Sequence, residues 1–187
     1  MKPLMLDLFS GLGGASQAMV DRGWRVVRVD INPLLNPDIV ADVRDFHWDG
    51  ERPDLIWASP PCEEFTRHAL PWTRRKNPPP PDLSPALAVK RIVEETKPVF
   101  WVVENVRGAV PWFTSIFGPA RKRVGSRYLW GHFPPFDCPH LYGKYRLPPC
   151  SRRSLLRSKI PYSLSLSLAV AVEAWLASYR EPGGEKC

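Results

Sequence analysis

A short apolar run that ends in a glycine-rich turn constrains the fold of this chain more than any other feature. Residues 4–8 are predicted to form a buried strand, and the turn Ser10-Gly11-Leu12-Gly13-Gly14 leads into a helix predicted over residues 15–22, which Gly23 ends. A strand, a glycine turn and a helix open many α/β sheets, and the glycines let a ligand approach the backbone. The turn is not the phosphate-gripping loop, because no Gly-Lys-Ser/Thr follows it.

Further apolar runs alternate with helical stretches along the chain. Strands are predicted over residues 24–29, 54–58 and 99–103, a weaker element over the residues up to Asp42, and a helix over residues 84–97 with Ser84 as its cap and Pro85 in its first turn. This alternation predicts a doubly wound, mostly parallel α/β sheet in a single domain over residues 1–187. Ligands of such sheets bind at the carboxyl ends of the strands.

Positive charge is concentrated in one segment. The formal net charge is +7, and residues 121–159 hold ten Lys or Arg against Asp137, a net charge of +9. This segment is expected to bind the phosphates of a nucleic acid. The 22 prolines exclude a helical bundle, and the most apolar stretch, residues 160–176, carries Glu173 and four Ser or Tyr residues. We therefore predict no membrane span, and the four scattered cysteines favour a cytoplasmic protein.

Two candidate catalytic groups follow predicted strands. Ser59-Pro60-Pro61-Cys62 places a cysteine after a buried strand, held by two prolines of fixed φ. A thiolate is the best side-chain nucleophile for an electron-poor ring, and the alternative is a buried, inert cysteine. Glu104-Asn105-Val106 follows the next buried run, where a carboxyl of raised pKa could donate to a ring nitrogen. The alternative is an exposed glutamate followed by a helix-capping asparagine.

Two aspartates are candidate cofactor ligands. Asp30 ends the second predicted strand, where a carboxylate can accept hydrogen bonds from ribose hydroxyls, or it is a surface turn residue. Asp42 could bind an adenine amino group, or cap a turn.

Three motifs in one order carry a resemblance to a known family. Asp7-Leu8-Phe9-Ser10-Gly11-Leu12-Gly13-Gly14, Pro60-Pro61-Cys62 and Glu104-Asn105-Val106 resemble the motifs of the cytosine-5 DNA methyltransferases, over about residues 4–130. The resemblance implies a Rossmann-like class I methyltransferase fold, S-adenosylmethionine as cofactor and DNA as substrate. The residues that it places at the cofactor are Asp7, Phe9, Ser10, Gly11, Gly13, Gly14, Asp30, Ile31, Asp42, Val43, Pro60 and Ser163.

The same resemblance assigns the chemistry. Cys62 would attack carbon 6 of cytosine, and Glu104 would protonate or hydrogen-bond ring nitrogen 3 so that carbon 5 takes the methyl group. Arg127, in Ser126-Arg127-Tyr128, resembles the family's later arginine, which contacts the base, with Arg123 as a rival.

The chain departs from the family in its last third. Pro161-Tyr162-Ser163-Leu164 stands where the family has a Gly-Asn pair, and only about thirty residues separate Arg127 from Ile160, where the family has a large target-recognition domain. A short sequence preference, or a partner subunit that supplies specificity, is therefore expected. The candidates for gripping the substrate are Arg67, Arg123, Arg152, Arg153 and Arg157, with Tyr142 and Tyr145 to stack on bases.

Other functions remain open at this point. Phe65-Thr66-Arg67 after the cysteine motif also resembles the tRNA-methylating branch of the family, so tRNA or a free cytidine nucleotide could be the substrate. A non-catalytic nucleic-acid-binding subunit is the alternative from another class. Cys138, His140 and Cys150 lack a fourth ligand, so no metal site is predicted.

Overall fold

The computed structural model describes residues 2–69, 79–138, 156 and 158–180. Several residues that were considered as substrate contacts, or considered as metal ligands and rejected, lie outside the described residues, namely His140, Tyr142, Tyr145, Cys150, Arg152, Arg153 and Arg157. Arg67 lies in a helix, but its side chain is also outside the described part.

The described strands form one sheet. They are β1 (Leu4–Leu8), β2 (Arg25–Asp30), β3 (Ile39–Val40), β4 (Leu55–Ala58), β5 (Phe100–Val106), β6 (Lys122–Val124) and β7 (Arg127–His132). Their order is β3-β2-β1-β4-β5-β7-β6. Neighbours from β3 to β5 pair in parallel, whereas β7 runs antiparallel to both β5 and β6. The predicted doubly wound, mostly parallel, Rossmann-like α/β fold is confirmed.

Helices cover both faces of the sheet. They are α1 (Gln17–Asp21), α2 (Glu63–Ala69), α3 (Ser84–Thr96), α4 (Val110–Phe117) and α5 (Tyr162–Arg180). Side chains of α1 and α5 pack on the face that carries Met5 and Trp57. Those of α2, α3 and α4 pack on the face that carries Leu6 and Ile56. Alternate residues of β1 and β4 are therefore buried on opposite faces, as expected of central strands with helices on both sides.

The structure corrects some predicted boundaries. β5 continues through Val106, so that Glu104 and Asn105 lie within the strand and not after it, because β7 pairs with this part of β5. Helix α3 begins at Ser84 as predicted, but the predicted serine cap is wrong: the carboxylate of Asp82 accepts hydrogen bonds from the backbone N–H and the hydroxyl of Ser84. Helix α1 is shorter than predicted, and Gly23 follows it with φ +79°.

Within the part of the chain that the structure describes, no helix is long and apolar enough to cross a membrane.

Candidate active site

The glycine-rich turn after β1 adopts backbone conformations that few residues tolerate. Gly11 has φ +52° and Gly13 has φ +67°, and Phe9 has φ +57° although it carries a large side chain. A non-glycine residue in this region is strained, and such strain clusters at functional sites. A Cβ on Gly11 would meet no atom closer than the Phe9 carbonyl oxygen at 4.0 Å. The backbone at Gly11 is therefore open to a ligand.

Asp30 ties this turn to the end of β2. Its carboxylate is nearly buried and accepts hydrogen bonds from the backbone N–H of Gly11, at 2.8 Å, and of Asn32, at 2.9 Å. Each carboxylate oxygen has a second lone pair, so Asp30 can also accept from a ligand hydroxyl. Asp30 is only 9% exposed, so the alternative interpretation of Asp30 as a surface turn residue is wrong.

A cavity of about 260 Å³ opens at the carboxyl ends of β1 to β4. It brings together four predicted cofactor residues, Phe9, Ile31, Asp42 and Val43. Sequence reasoning missed its other lining residues, which are Ala41, Arg44, Pro61, Glu63, Glu64, Phe65, Asp82 and Pro85. Apolar walls with a few polar groups are typical of small-ligand sites.

Asp42 supplies a charged acceptor in this cavity. Its side chain is paired with the guanidinium of Arg44, whose Nε lies 3.0 Å from each carboxylate oxygen. Hydrogen bonds from Arg44 hold the pKa of Asp42 below its usual range. Asp42 is therefore ionised at neutral pH and can accept a hydrogen bond from an amino group.

The other predicted cofactor residues occupy different positions. The hydroxyl of Ser10 is buried and has no hydrogen-bond partner among the described residues, which suits a group that contacts a ligand. A Cβ on Gly14 would lie 2.6 Å from the carbonyl oxygen of Ile160. The absence of a side chain at Gly14 therefore leaves room for the chain that leads into α5. Ser163 is half-buried in the first turn of α5 and does not line the cavity, and Pro60 contributes its carbonyl to a hydrogen bond described below.

Asp7 is buried inside the protein rather than exposed to the cavity. It is 1% exposed and accepts a hydrogen bond of 2.6 Å from the hydroxyl of Ser16. Burial raises the pKa of Asp7 to about 7, against the lowering effect of the Ser16 hydrogen bond. At pH 6 the folded protein therefore holds a proton on Asp7 that the unfolded chain releases.

This difference predicts a pH-dependent stability. As pH rises from about 4 to about 7, the contribution of Asp7 to the free energy of unfolding falls by about 4 kcal/mol, and it changes little above that range. Asp7→Asn removes this titration, so the variant gains stability relative to wild type as pH rises. Urea unfolding at pH 5 and pH 8 measures the difference. Asp49→Asn, at an exposed carboxylate, is the control, and an equal pH dependence in wild type and Asp7→Asn would contradict the prediction.

A hydrogen bond joins the cysteine loop to the neighbouring strand. The side-chain amide of Asn105 is buried and donates to the carbonyl oxygen of Pro60 at 3.0 Å, while its oxygen accepts from the backbone N–H of Val106. Asn105 is therefore not a helix cap. It fixes the loop that carries Cys62 against β5, which carries Glu104.

Cys62 is half-buried between the end of β4 and the start of α2. Its carbonyl oxygen accepts hydrogen bonds from the backbone N–H and the hydroxyl of Thr66, both at 2.9 Å. Burial raises the pKa of the thiol, and the nearby carboxylates of Glu104 and Glu63 raise it further. The thiol is therefore protonated in the free protein at neutral pH.

Glu104 is a buried carboxyl beside this thiol. It is 9% exposed, and the Nε of Arg127 lies 3.5 Å from its Oε1. Burial raises the pKa of Glu104, while Arg127 and a hydrogen bond from Ser59 oppose that rise. The exposed-glutamate alternative is therefore wrong, and the carboxyl is suited to donating a proton.

The structure separates the two candidate arginines. Arg127 faces Glu104 and also donates to the carbonyl oxygen of Lys159 at 3.0 Å. Arg123 is exposed, donates to the carbonyl oxygen of Gly125, and lies over the ring of Tyr128 at 5.6 Å. Arg127 is therefore the arginine that the fold places beside the candidate acid.

The described cations of the basic segment lie at different places in the sheet. Because β7 is antiparallel to β5, Arg127 lies opposite Val106 at the carboxyl edge of the sheet, and His132 lies opposite Trp101 towards the amino edge. A second, polar cavity of about 390 Å³, beside β6 and the chain that follows β7, is lined by Arg121, Lys122, Phe133, Pro135, Phe136 and Asp137. Arg121 and Lys122 lie at the β6 edge of the sheet, where β7 and β5 separate them from β4 and the Cys62 loop.

Part of the sequence is similar to a curated protein. It is 38% identical over 68 residues to a probable DNA (cytosine-5)-methyltransferase of Frog virus 3 (isolate Goorha). The resemblance to the cytosine-5 DNA methyltransferases is confirmed. The match covers 34% of this chain and 30% of the viral relative, so most of that relative's length has no counterpart in the match. No family model matches the chain.

Solved structures of methyltransferases are also similar. A methyltransferase of Entamoeba histolytica has a TM-score of 0.48 and 16% identity, covering 73% of this chain and 55% of its own. The Dnmt2 methyltransferase of S. pombe has a TM-score of 0.39 and 19% identity, covering 58% of this chain and 36% of its own.

Proposed function

We propose that this chain transfers a methyl group from S-adenosylmethionine to carbon 5 of cytosine in DNA, through a covalent adduct with Cys62. The observation that carries the proposal is the Asn105–Pro60 hydrogen bond, which holds the Cys62 loop against the strand that bears Glu104. A nucleophile and a buried acid thereby lie at neighbouring strand ends, beside a cavity suited to a nucleoside. The sequence similarity to a cytosine-5 methyltransferase supports the same activity.

The residues around the cavity fit S-adenosylmethionine. Phe9, Ile31 and Val43 offer apolar contacts, and Ile31 is 63% exposed at the end of β2, where a ligand would cover it. Asp42 would accept a hydrogen bond from the adenine amino group, and Asp30 would accept from the ribose. The unpartnered hydroxyl of Ser10 would gain a partner. The cofactor supplies an electrophilic methyl group on a sulfonium.

The protein's own groups activate the cytosine. The thiolate of Cys62 adds to carbon 6, forming a sulfur–carbon bond, and Glu104 donates its proton or a hydrogen bond to nitrogen 3. The electron pair that reaches carbon 5 forms the bond to the methyl group as the bond between that methyl group and the sulfonium sulfur breaks, which would leave S-adenosylhomocysteine. Loss of the proton from carbon 5 to a base, with cleavage of the sulfur–carbon bond and return of any nitrogen 3 proton to Glu104, gives back the free thiolate and yields the methylated ring.

The two pKa shifts act together in this scheme. A carboxylate at Glu104 raises the pKa of the Cys62 thiol, so a protonated Glu104 makes the thiolate easier to form. Burial favours protonated Glu104. The positive charge of Arg127 stabilises the carboxylate that remains once the proton has moved to the ring. The pair is therefore suited to adding a nucleophile and a proton to one ring.

The substrate is proposed to be a DNA strand whose cytosine is turned out of the stack. Carbon 6 is out of reach of a thiolate inside a stacked duplex, so the base must be extruded or unpaired. The net charge of +9 over residues 121–159 favours a polyanion over a free nucleotide. A partner subunit could add sequence specificity.

Transfer of a labelled methyl group from S-adenosylmethionine to four substrates tests this function. Duplex DNA, single-stranded DNA, tRNA and dCMP are assayed side by side, and we expect DNA to be labelled at cytosine carbon 5. Labelling of tRNA or of dCMP alone would reassign the substrate. Binding of nucleic acid without transfer to any substrate would favour a non-catalytic accessory subunit.

A further inference from the structure

One wall of the cofactor cavity is formed by a segment that has no neighbouring strand. Beyond β3 the chain leaves the sheet, and Asp42, Val43 and Arg44 line the cavity before the chain turns away. We refer to residues 42–46 as the wall segment. A turn in which the N–H of Asp45 donates to the carbonyl oxygen of Asp42 folds its first half. Val43 and Phe46 are buried, and their carbonyls need partners from elsewhere, because unpaired backbone groups away from water are costly.

Arg91 supplies those partners from helix α3. Its Nη2 donates to the carbonyl oxygens of Phe46 and Arg44, at 2.8 and 3.3 Å, and lies 3.5 Å from the carbonyl oxygen of Val43. Its Nη1 lies 3.0 Å from both carboxylate oxygens of Glu95, which orients the guanidinium. One side chain thus contacts three carbonyl groups of the wall segment.

The wall segment is also anchored by its apolar side chains. Val43 is 1% exposed and Phe46 is 8% exposed, and both belong to the core that includes Val89 and Ile92 of α3. These contacts fix how deep the segment lies. The hydrogen bonds from Arg91 fix its backbone orientation, and therefore the direction of the cavity-facing Asp42 and Arg44.

We propose that Arg91 is a positioning residue for the cofactor, since it holds the wall segment in the orientation that the adenine side of the cavity requires. This inference rests on the proposed function. Arginine suits the role because its planar guanidinium presents five donors in a fixed arrangement, whereas lysine offers a single charged point on a flexible stem. Arg91 itself does not line the cavity, so its effect on the ligand passes through the wall segment.

The test compares Arg91→Met and Arg91→Lys with a matched control, Lys90→Met. Lys90 is the next residue on the same helix and pairs with Glu94 at 3.9 Å, without contacting the wall segment. Isothermal titration calorimetry measures the Kd for S-adenosylmethionine, and steady-state kinetics give KM for the cofactor and kcat at saturation. Hydrogen–deuterium exchange of residues 42–47 reports directly on the wall segment.

We expect Arg91→Met to weaken cofactor binding about tenfold, which corresponds to about 1.4 kcal/mol, with kcat at saturating cofactor within about twofold of wild type. Exchange should rise in residues 42–47 and not in β1 or β4. Arg91→Lys should restore part of the affinity, and Lys90→Met should match wild type.

The outcomes separate this inference from the function on which it rests. Wild-type protein that binds no S-adenosylmethionine would overturn the proposed function and the inference together. Wild-type protein that binds the cofactor, with a folded Arg91→Met variant that binds it equally well, would overturn only the role of Arg91. Equal losses in kcat and affinity, with increased exchange throughout the sheet, would assign Arg91 to general stability and also overturn it.

Discussion

Cys62→Ser is expected to abolish methyl transfer, with turnover reduced by at least about 10⁴-fold. A serine hydroxyl is far less acidic than a thiol and a much weaker nucleophile, so addition to carbon 6 fails. Cofactor affinity should stay within about twofold of wild type, because Cys62 does not line the cavity beside Phe9 and Asp42. Turnover with labelled S-adenosylmethionine and calorimetric titration of the cofactor check the two halves of this prediction.

Cys138→Ser is the matched control for this variant. Cys138 is also half-buried, but it packs on the face of the sheet covered by α1 and α5. Its replacement should leave turnover unchanged. Near-normal activity of Cys62→Ser would remove the proposed nucleophile from the account.

Glu104→Gln is expected to lower turnover by about 10²–10⁴-fold, the usual contribution of a general acid. Glutamine keeps the shape of the side chain and an amide donor but has no proton to transfer. Because burial raises the pKa of Glu104, activity that depends on its protonated form declines as pH rises through that raised pKa. The variant should lack this decline on the alkaline side, so pH profiles of kcat for both proteins provide the measurement.

Glu94→Gln, at an exposed carboxylate on α3, is the control for the loss of one negative charge. It should retain the wild-type rate and pH profile. Equal losses of cofactor affinity and turnover in Glu104→Gln would instead indicate that Glu104 supports the fold around Arg127.

The strands that are buried on both faces were predictable from local sequence. β1 and β4 are short apolar runs bounded by polar or turn residues, and β1 spans the predicted residues. The end of β5 was not predictable, because it depends on pairing with β7 more than twenty residues later. β6 carries two basic residues in three and gives no apolar signal of its own.

The candidate site was likewise predictable only in part. Cys62, Glu104 and Asp42 stand in recognisable motifs or at strand ends, and the structure places them at one edge of the sheet. The partners that orient them are tertiary. The Asn105–Pro60 bond joins residues 45 positions apart, and the Arg91–Phe46 bond also joins residues 45 positions apart. No local sequence pattern predicts hydrogen bonds between residues so far apart in the chain.

Gly14 illustrates a residue with a structural constraint that its motif does not predict. Its place in the glycine-rich turn predicted contact with the cofactor. The structure also places the carbonyl oxygen of Ile160 2.6 Å from where a Cβ of residue 14 would be. The close approach comes from the chain entering α5, about 145 residues later in the sequence, so the turn alone gave no sign of it.

The most direct test of the central claim is covalent trapping on DNA that contains 5-fluorocytosine. Fluorine at carbon 5 leaves no proton to remove after methyl transfer, so the bond between Cys62 and carbon 6 persists. Wild-type protein should form a denaturation-resistant complex only when S-adenosylmethionine is present, with the adduct mapped by mass spectrometry to the peptide that carries Cys62, and Cys62→Ser should form none. Production of 5-methylcytosine on ordinary DNA without any trapped complex, or an adduct on another residue, would contradict the account.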